Sequence, residues 1–263
     1  MSTPNISPLA IIEEGAVIAR DVTIAPYAFI SKDTTIGSGT TISQGACIYG
    51  KTTIGKNNRI FSHAVIGSIP QDLKFKGEEV ELIIGDDNTI REFCLFNPGT
   101  EGGGSITKIG NNNLFMGYAH VGHDVIIGDN CVFANAATLA GHVEIGNHVV
   151  IGGLTPVHQF CRIGSYSMVG GACALTQDLP PFCMAEGNRA KLRGLNLTGL
   201  RRHLDKAEIN ALRPAYKELF EKGRPLAEVA QELLDSTESQ SVKEIAEFVL
   251  STKRGINYDR ETV

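Results

Sequence analysis

The chain has 263 residues, 42% hydrophobic and 20% charged, with a net charge of −5. That balance excludes disorder, and the length allows about two domains, or one large β domain with an appendage. The mild acidity argues against nonspecific nucleic-acid binding. The lack of an apolar run near ~18 residues, and of a basic-then-apolar start, predicts a cytoplasmic chain with no membrane segment. Glycine is abundant (29), Trp is absent and aromatics are 6%, which predicts many tight turns around a core of medium aliphatics. The six Cys (Cys47, Cys94, Cys131, Cys161, Cys173, Cys183) never fall as CxxC, so they read as small buried thiols rather than a metal or disulfide framework.

A six-residue repeat starts by Ile12 and runs through Ile18, Ile24, Ile30, Ile36, Ile42, Ile48, Ile54, Ile60 and Ile66. It resumes at Ile84, Ile90 and Phe96, then again from Ile109 through Phe115, Val121, Ile127, Phe133, Leu139, Ile145, Ile151, Val157, Ile163 and Val169 to Leu175. Neither the 3.6-residue period of a helix nor the two-residue period of a strand produces such a series. One large inward aliphatic per hexapeptide predicts a short strand plus a corner, with β-branched residues in the strand and Gly, Asn or Asp at the corner. Three such strands close an 18-residue coil. Stacked coils pair in parallel at ~4.8 Å, giving about nine coils over roughly 45 Å.

Two interruptions break the repeat. Residues 67–83 lack the inward aliphatic at positions 72 and 78 and read as an excursion that rejoins in register. Residues 97–108 contain NPGTEGGGS and read as a loop. The repeat stops near Pro180 and Pro181. Residues 187–263 then carry apolar spacings of three and four, with Asp205, Pro225 and Ser241 as helix start signals. This helical unit is expected to cover the open end of the coil stack.

The 18-residue coil converts sequence into rough geometry, because residues 18 apart lie about one strand spacing apart. Asp124 then falls beside His142, His123 beside Gly141 and, one coil further, Gln159, with His158 adjacent. With His120, four of the seven histidines fall in one patch over neighbouring coils. A histidine next to a carboxylate suits general-base chemistry near neutral pH. Structural histidines at corners and a His-rich zinc site of the carbonic-anhydrase type are the other readings of this patch. A non-catalytic scaffold would leave the histidines and long loops unexplained.

Hexapeptide repeats of this kind resemble the left-handed parallel β-helix of the hexapeptide acyltransferases, which implies a mainly β fold with a C-terminal α-helical domain. The motifs IPQDLK, GGG, AHVGHD, GHVEIG, TPVHQF, MVGG and GLNLTGLRR, in that order, resemble the UDP-N-acetylglucosamine O-acyltransferase family over nearly the whole chain. Members open lipid A synthesis in Gram-negative bacteria. The resemblance implies a homotrimer with the site in the cleft between subunits. It implies an (R)-3-hydroxyacyl donor carried on the phosphopantetheine of acyl carrier protein, and neither resident cofactor nor metal.

The resemblance makes His123 the general base, Asp124 its orienting partner and Gly141 the oxyanion donor. It places Gln71, Asp72, Lys74, His120, His142, His158, Gln159, Asn196 and Arg202 along the sugar nucleotide, and Gly171 and Arg189 at the acyl chain. Between Gly187 and Leu204, Arg189, Lys191, Arg193, Arg201 and Arg202 stand without any Asp or Glu, a basic stretch suited to an acidic carrier. Asn97 and Pro98 replace the family's His-Arg, Thr198 a Glu, and Arg189 a His. Some members acylate a 3-amino sugar nucleotide instead, and Asn97 and Thr198 keep that acceptor open. Sister N-acyltransferases carry an N-terminal uridine-binding domain for which the early repeats leave little room.

Overall fold

The computed structural model describes residues 5–258. Its strands are mostly two residues long and pair in parallel into three sheets of eleven, eight and eight strands. Successive strands step from sheet to sheet, so each sheet takes every third strand and the chain winds as a triangular prism. The winding starts one hexapeptide earlier than the sequence series, at Asn5–Ile6, which pairs with Thr23–Ile24. The aliphatic column is the core: from Ile24 to Ile66 every sixth Ile is buried. Phe96, Phe115 and Phe133 continue it, with Phe115 and Phe133 stacked at 4.6 Å and 2°.

A second buried column, not anticipated from the repeat, sits two residues before the first. It holds small residues such as Ala28, Thr40, Ala46, Asn58, Cys94, Cys131 and Ser167. They fill the narrow angle of the prism where a large side chain has no room. Cys161 and Cys173 also belong there, and Cys183 is buried beyond it. Cys47 departs from the expectation: it is only half-buried, because it occupies an outward strand position. Burial pushes the Cys94 and Cys131 thiols up to about 12 and Cys161 up to about 11, so these groups stay protonated.

The corners differ from the turn chemistry expected. At most corners the residue three places after the inward aliphatic has positive φ, and from Tyr118 to Ala172 ten successive corners carry non-glycine residues there. The glycines directly after the aliphatics serve close stacking instead. A Cβ on Gly110 would lie 2.5 Å from the Gly128 carbonyl oxygen, and one on Gly37 would lie 2.6 Å from that of Gly55.

Both interruptions leave and rejoin in register, and both are shorter than the spacing suggests. Pairing resumes at Glu81, opposite Lys51, and at Ile106, opposite Glu81. A buried ladder holds the register across these long coils. Asn58 Oδ1 accepts from the Asn88 backbone N–H at 2.9 Å, Asn88 Oδ1 from Asn113 N–H at 2.9 Å, and Asn113 Oδ1 from Cys131 N–H at 2.7 Å.

Helices do not begin at 187. Strand Cys183–Glu186 joins the large sheet in parallel beside Met168–Val169 and pairs antiparallel with Lys191–Leu195. This hairpin ends the prism. Helices α1 (Leu197–His203), α2 (Lys206–Phe220), α3 (Leu226–Ser236) and α4 (Gln240–Ser251) follow. Asp205 caps α2 by accepting from Glu208 N–H, and Pro225 precedes α3. The cap of α4 is Ser239, not Ser241, whose backbone N–H instead donates to Glu208 on α2. The helical segment closes over the last coil: Asp178 bridges Ile256, and Arg162 donates to Ser251 at 3.1 Å while lying over the Phe248 ring.

Candidate active site

The coil register sets the site. His123 and Asp124 follow strand His120–Val121, at the second and third residues beyond the inward Val121. One coil on, the same two places hold Gly141 and His142. Their stacking is direct: His142 N–H donates to His123 O at 2.9 Å, and Phe160 N–H to Gly141 O at 3.2 Å.

His123 and Asp124 are sequence neighbours, yet they touch. Asp124 sits in the corner with φ of 60°, which turns its side chain back toward its predecessor instead of onto the opposite face of a strand. His123 Nδ1 lies 2.7 Å from Asp124 Oδ2. That contact assigns the ring proton to Nδ1, on the carboxylate side, and leaves the lone pair on Nε2. Asp124's side chain is 1% exposed and His123's is 17%, so the carboxylate is sheltered and the imidazole reachable.

Gly141 seats the imidazole. A Cβ there would lie 2.5 Å from His123 Cε1 and 2.6 Å from Nε2, so the missing side chain is the space the ring occupies. Among the described residues, no acceptor takes the Gly141 N–H. His142 stands edge-on to His123 at 5.0 Å and stacks face to face on Phe160 at 4.4 Å.

The second loop contributes a residue that the sequence pattern does not point to. Thr100 donates its backbone N–H to Asp124 Oδ1 at 2.8 Å and its hydroxyl to Oδ2 at 2.6 Å. Asp124's own N–H donates to Thr107 Oγ1 at 2.8 Å. The close approach also explains the middle glycine of the run, because a Cβ on Gly103 would lie 2.0 Å from the Asp124 carboxyl carbon. Glycine richness signals a loop there, but nothing in it signals the threonine. Phe160 is open to the same reasoning as the dyad: it lies 18 residues beyond His142, so the coil count places it on the next coil beside that ring, although an aromatic there carries no chemical signal of its own.

Burial pushes the His142 imidazole below the ordinary histidine value, against the pull of Asp124. His123 and Lys74 act in the same direction as burial, and Asp72 opposes it. The first excursion therefore places Asp72 and Lys74 within electrostatic range of this corner. Asp72 accepts the Lys74 N–H at 2.9 Å in a local turn, and Gln71 is exposed beside it. His120 is also held below its ordinary value, chiefly by burial, although its Nδ1 lies 3.0 Å from the Leu95 carbonyl.

Other expected site residues lie further from the dyad. His158 and Gln159 are exposed, the His158 ring turning its Nδ1 to within 3.2 Å of the Gln159 carbonyl oxygen. Asn196 is buried at the start of α1, accepting from Gly199 N–H and donating to Tyr166 O at 2.9 Å, so within this chain its amide is already engaged. Arg202 and Thr198 are exposed on α1. Gly171 is exposed at a corner where an added Cβ would meet nothing nearer than 3.5 Å. Arg189 and Lys191 line an open depression of about 730 Å³ with Gln177 and Asn188. Asn97 is buried and joins the two loops, its Nδ2 donating to Ser68 O at 3.0 Å and Ile69 O at 3.1 Å.

His123, Asp124 and His142 also offer three donor atoms within 4.8 Å of one another, the one such cluster among the described residues. Both Asp124 oxygens, however, already accept from Thr100. What the arrangement does without further groups is hold an imidazole in a fixed orientation with a buried carboxyl group behind it, which is the equipment of a general base.

Comparison with known proteins agrees with this reading of the fold. Residues 178–257 match the model for Udp N-acetylglucosamine O-acyltransferase, domain 2, and residues 106–141 match the bacterial transferase hexapeptide model. An acyl-[acyl-carrier-protein]–UDP-N-acetylglucosamine O-acyltransferase of Sulfurimonas denitrificans is 74% identical, covering 98% of either chain. Its counterpart in Aliarcobacter butzleri is 66% identical over 98% of this chain and 99% of its own. The solved UDP-N-acetylglucosamine acyltransferase from Campylobacter jejuni superimposes with a TM-score of 0.93 at 50% identity, covering 97% of this chain and all of the other. The fold is thus the left-handed parallel β-helix with a C-terminal helical segment, and the chain is an acyltransferase belonging to the UDP-N-acetylglucosamine O-acyltransferase family.

Proposed function

We propose that the protein transfers an (R)-3-hydroxyacyl group from acyl carrier protein to the 3-position of UDP-N-acetylglucosamine, the first step of lipid A synthesis. The observation that carries the proposal is the His123–Asp124 pair at 2.7 Å, seated over the bare Cα of Gly141. His123 Nε2 takes the proton from the sugar 3-hydroxyl as its oxygen attacks the thioester carbonyl. Asp124 stabilises the imidazolium that forms. The Gly141 N–H stabilises the oxyanion of the tetrahedral intermediate, worth a few kcal/mol when well aimed. Collapse breaks the C–S bond, and the departing phosphopantetheine thiolate takes the proton back from His123. No covalent enzyme intermediate, resident cofactor or metal enters this scheme.

Lys74, with Gln71 and Asp72, meets the sugar nucleotide, joined by His120, His142, His158, Gln159, Asn196 and Arg202. In the proposed homotrimer the site lies between subunits, so those residues distant from the dyad in one chain act toward a neighbour's dyad. Arg189, Lys191, Arg193, Arg201 and Arg202 form the carrier's dock. Gly171 leaves room for a long acyl chain.

Assay of His123→Ala with acyl carrier thioester and UDP-sugar should show a loss of about 10²-fold or more. Near-full activity would remove His123 from the role of base. A second acceptor, the 3-amino sugar nucleotide, is favoured by one feature. Asn97, whose Oδ1 is buried without a hydrogen-bond partner among the described residues, stands where the family often has His-Arg. Comparing the two acceptors under one assay decides between ester and amide products.

A further inference from the structure

The Asp124 carboxylate has two imidazoles within reach. Oδ2 lies 2.7 Å from His123 Nδ1 and 3.8 Å from His142 Nδ1. A modest rotation of the carboxylate would serve His142 instead, and His123 would lose its orienting partner. What opposes that rotation comes from outside the β-helix repeat. Thr100 grips both oxygens, one with its backbone N–H and one with its hydroxyl, and is itself buried. Gly103 also stands close against the carboxyl group, since a Cβ there would lie 2.0 Å from its carbon. The loop holding both residues is anchored in turn: Gly103 and Ser105 N–H groups donate to Thr100 O, and Gly99 N–H donates to Glu81 O at 3.2 Å.

We infer that Thr100 is the positioning residue of this acyltransferase, selecting His123 over His142 as the partner of Asp124. The inference rests on His123 being the base, as proposed above. Its physical content is that a hydrogen bond to a buried charged group is worth about 1.5–3 kcal/mol, which is about tenfold to a hundredfold in rate when expressed in the transition state. The seven residues by which the coil holding Thr100 exceeds the 18-residue norm thus have a chemical purpose. The repeat can place His123 and Asp124 at one corner, but it offers no third group pointing down at the carboxylate, and the inserted loop supplies one.

Thr100→Val keeps the shape and the backbone N–H but removes the hydroxyl. It should lower kcat about tenfold to a hundredfold with KM for the sugar nucleotide within about twofold, and shift the acidic limb of the pH–rate profile, because the Asp124 carboxylate then meets His123 with an altered geometry. Thr100→Ser should restore kcat to within about threefold of the parent, since the donor returns. Gly103→Ala displaces the same carboxylate by steric contact and should reproduce the kcat-selective loss. A Thr100→Val enzyme with parental kcat and pH profile overturns the inference, as does a Ser variant no better than Val. If Val does not fold, the inference stands or falls on the other two variants: a near-parental kcat for Thr100→Ser with a kcat-selective loss for Gly103→Ala supports it, and a parental Gly103→Ala enzyme overturns it. His123→Ala is run beside them: activity there sinks the base assignment and this inference together, whereas an inactive His123→Ala with a normal Thr100→Val sinks the role of Thr100 alone.

Discussion

Gly141→Ala separates two things a glycine at this position can do. The added Cβ would stand 2.5 Å from His123 Cε1, whereas ordinary carbon contacts begin at about 3.5 Å, so one group must yield by about 1 Å. The glycine is not in the left-handed backbone region, so alanine brings no conformational strain of its own. The imidazole has little room to retreat, with His142 edge-on at 5.0 Å on one side and the Asp124 contact fixing Nδ1 on the other. A misplacement of about 1 Å at a reacting group costs about 10²-fold in rate, or about 2.7 kcal/mol of barrier. The alanine N–H remains available to an oxyanion, so the loss reports displacement of the ring. The assay is steady-state acyl transfer from the carrier thioester, with a thermal melt to establish that the variant is folded. A folded Gly141→Ala enzyme with parental kcat would refute the claim that His123 must lie over this residue to act.

Three further outcomes follow from the structure. Gly171→Met should shorten the preferred acyl chain: the Cβ fits without clash, so the remainder of the side chain projects outward, and an unchanged chain-length profile contradicts the steric argument. Burial holds His120, His142 and His148 below the ordinary histidine value, so between those lowered values and about 6.5 the unfolded chain binds more protons than the native one. Their contribution to stability is complete above about pH 6.5 and is lost as pH falls below it, so the urea midpoint should drop between about pH 7.5 and about pH 5.5; a flat midpoint would count against this linkage. Phe133→Ala, which empties a fully buried ring site stacked at 4.6 Å on Phe115, should cost about 3–5 kcal/mol in denaturant titration, and a loss under about 1 kcal/mol would mean that the prism collapses to fill the space.

The prism is legible in the sequence because its geometry is periodic. One aliphatic every six residues and three strands per coil leave a single way to stack, so Ile54 opposite Ile84 and Asp124 beside His142 follow from counting once the insertions are recognised. The same counting brings His123 and Gly141 together. It fails where the chain departs from the repeat. Residues 183–195 lack the hexapeptide pattern and form a hairpin, not a helix, because they pair with the last strand edge of the large sheet.

Counting also says nothing about side-chain direction at a corner. His158, Gln159 and Phe160 are all exposed, yet of the three it is the Phe160 ring that stacks on His142. The contact between neighbours His123 and Asp124 depends on a positive φ that composition does not reveal. Thr100 reaches Asp124 across 24 residues through a loop with no repeat to measure it by. Periodicity specifies which backbones lie next to each other, since parallel pairing obliges each strand to follow the one below. The direction in which a carboxylate points is decided by the groups that close around it, and here those come from the one part of the coil that is not periodic.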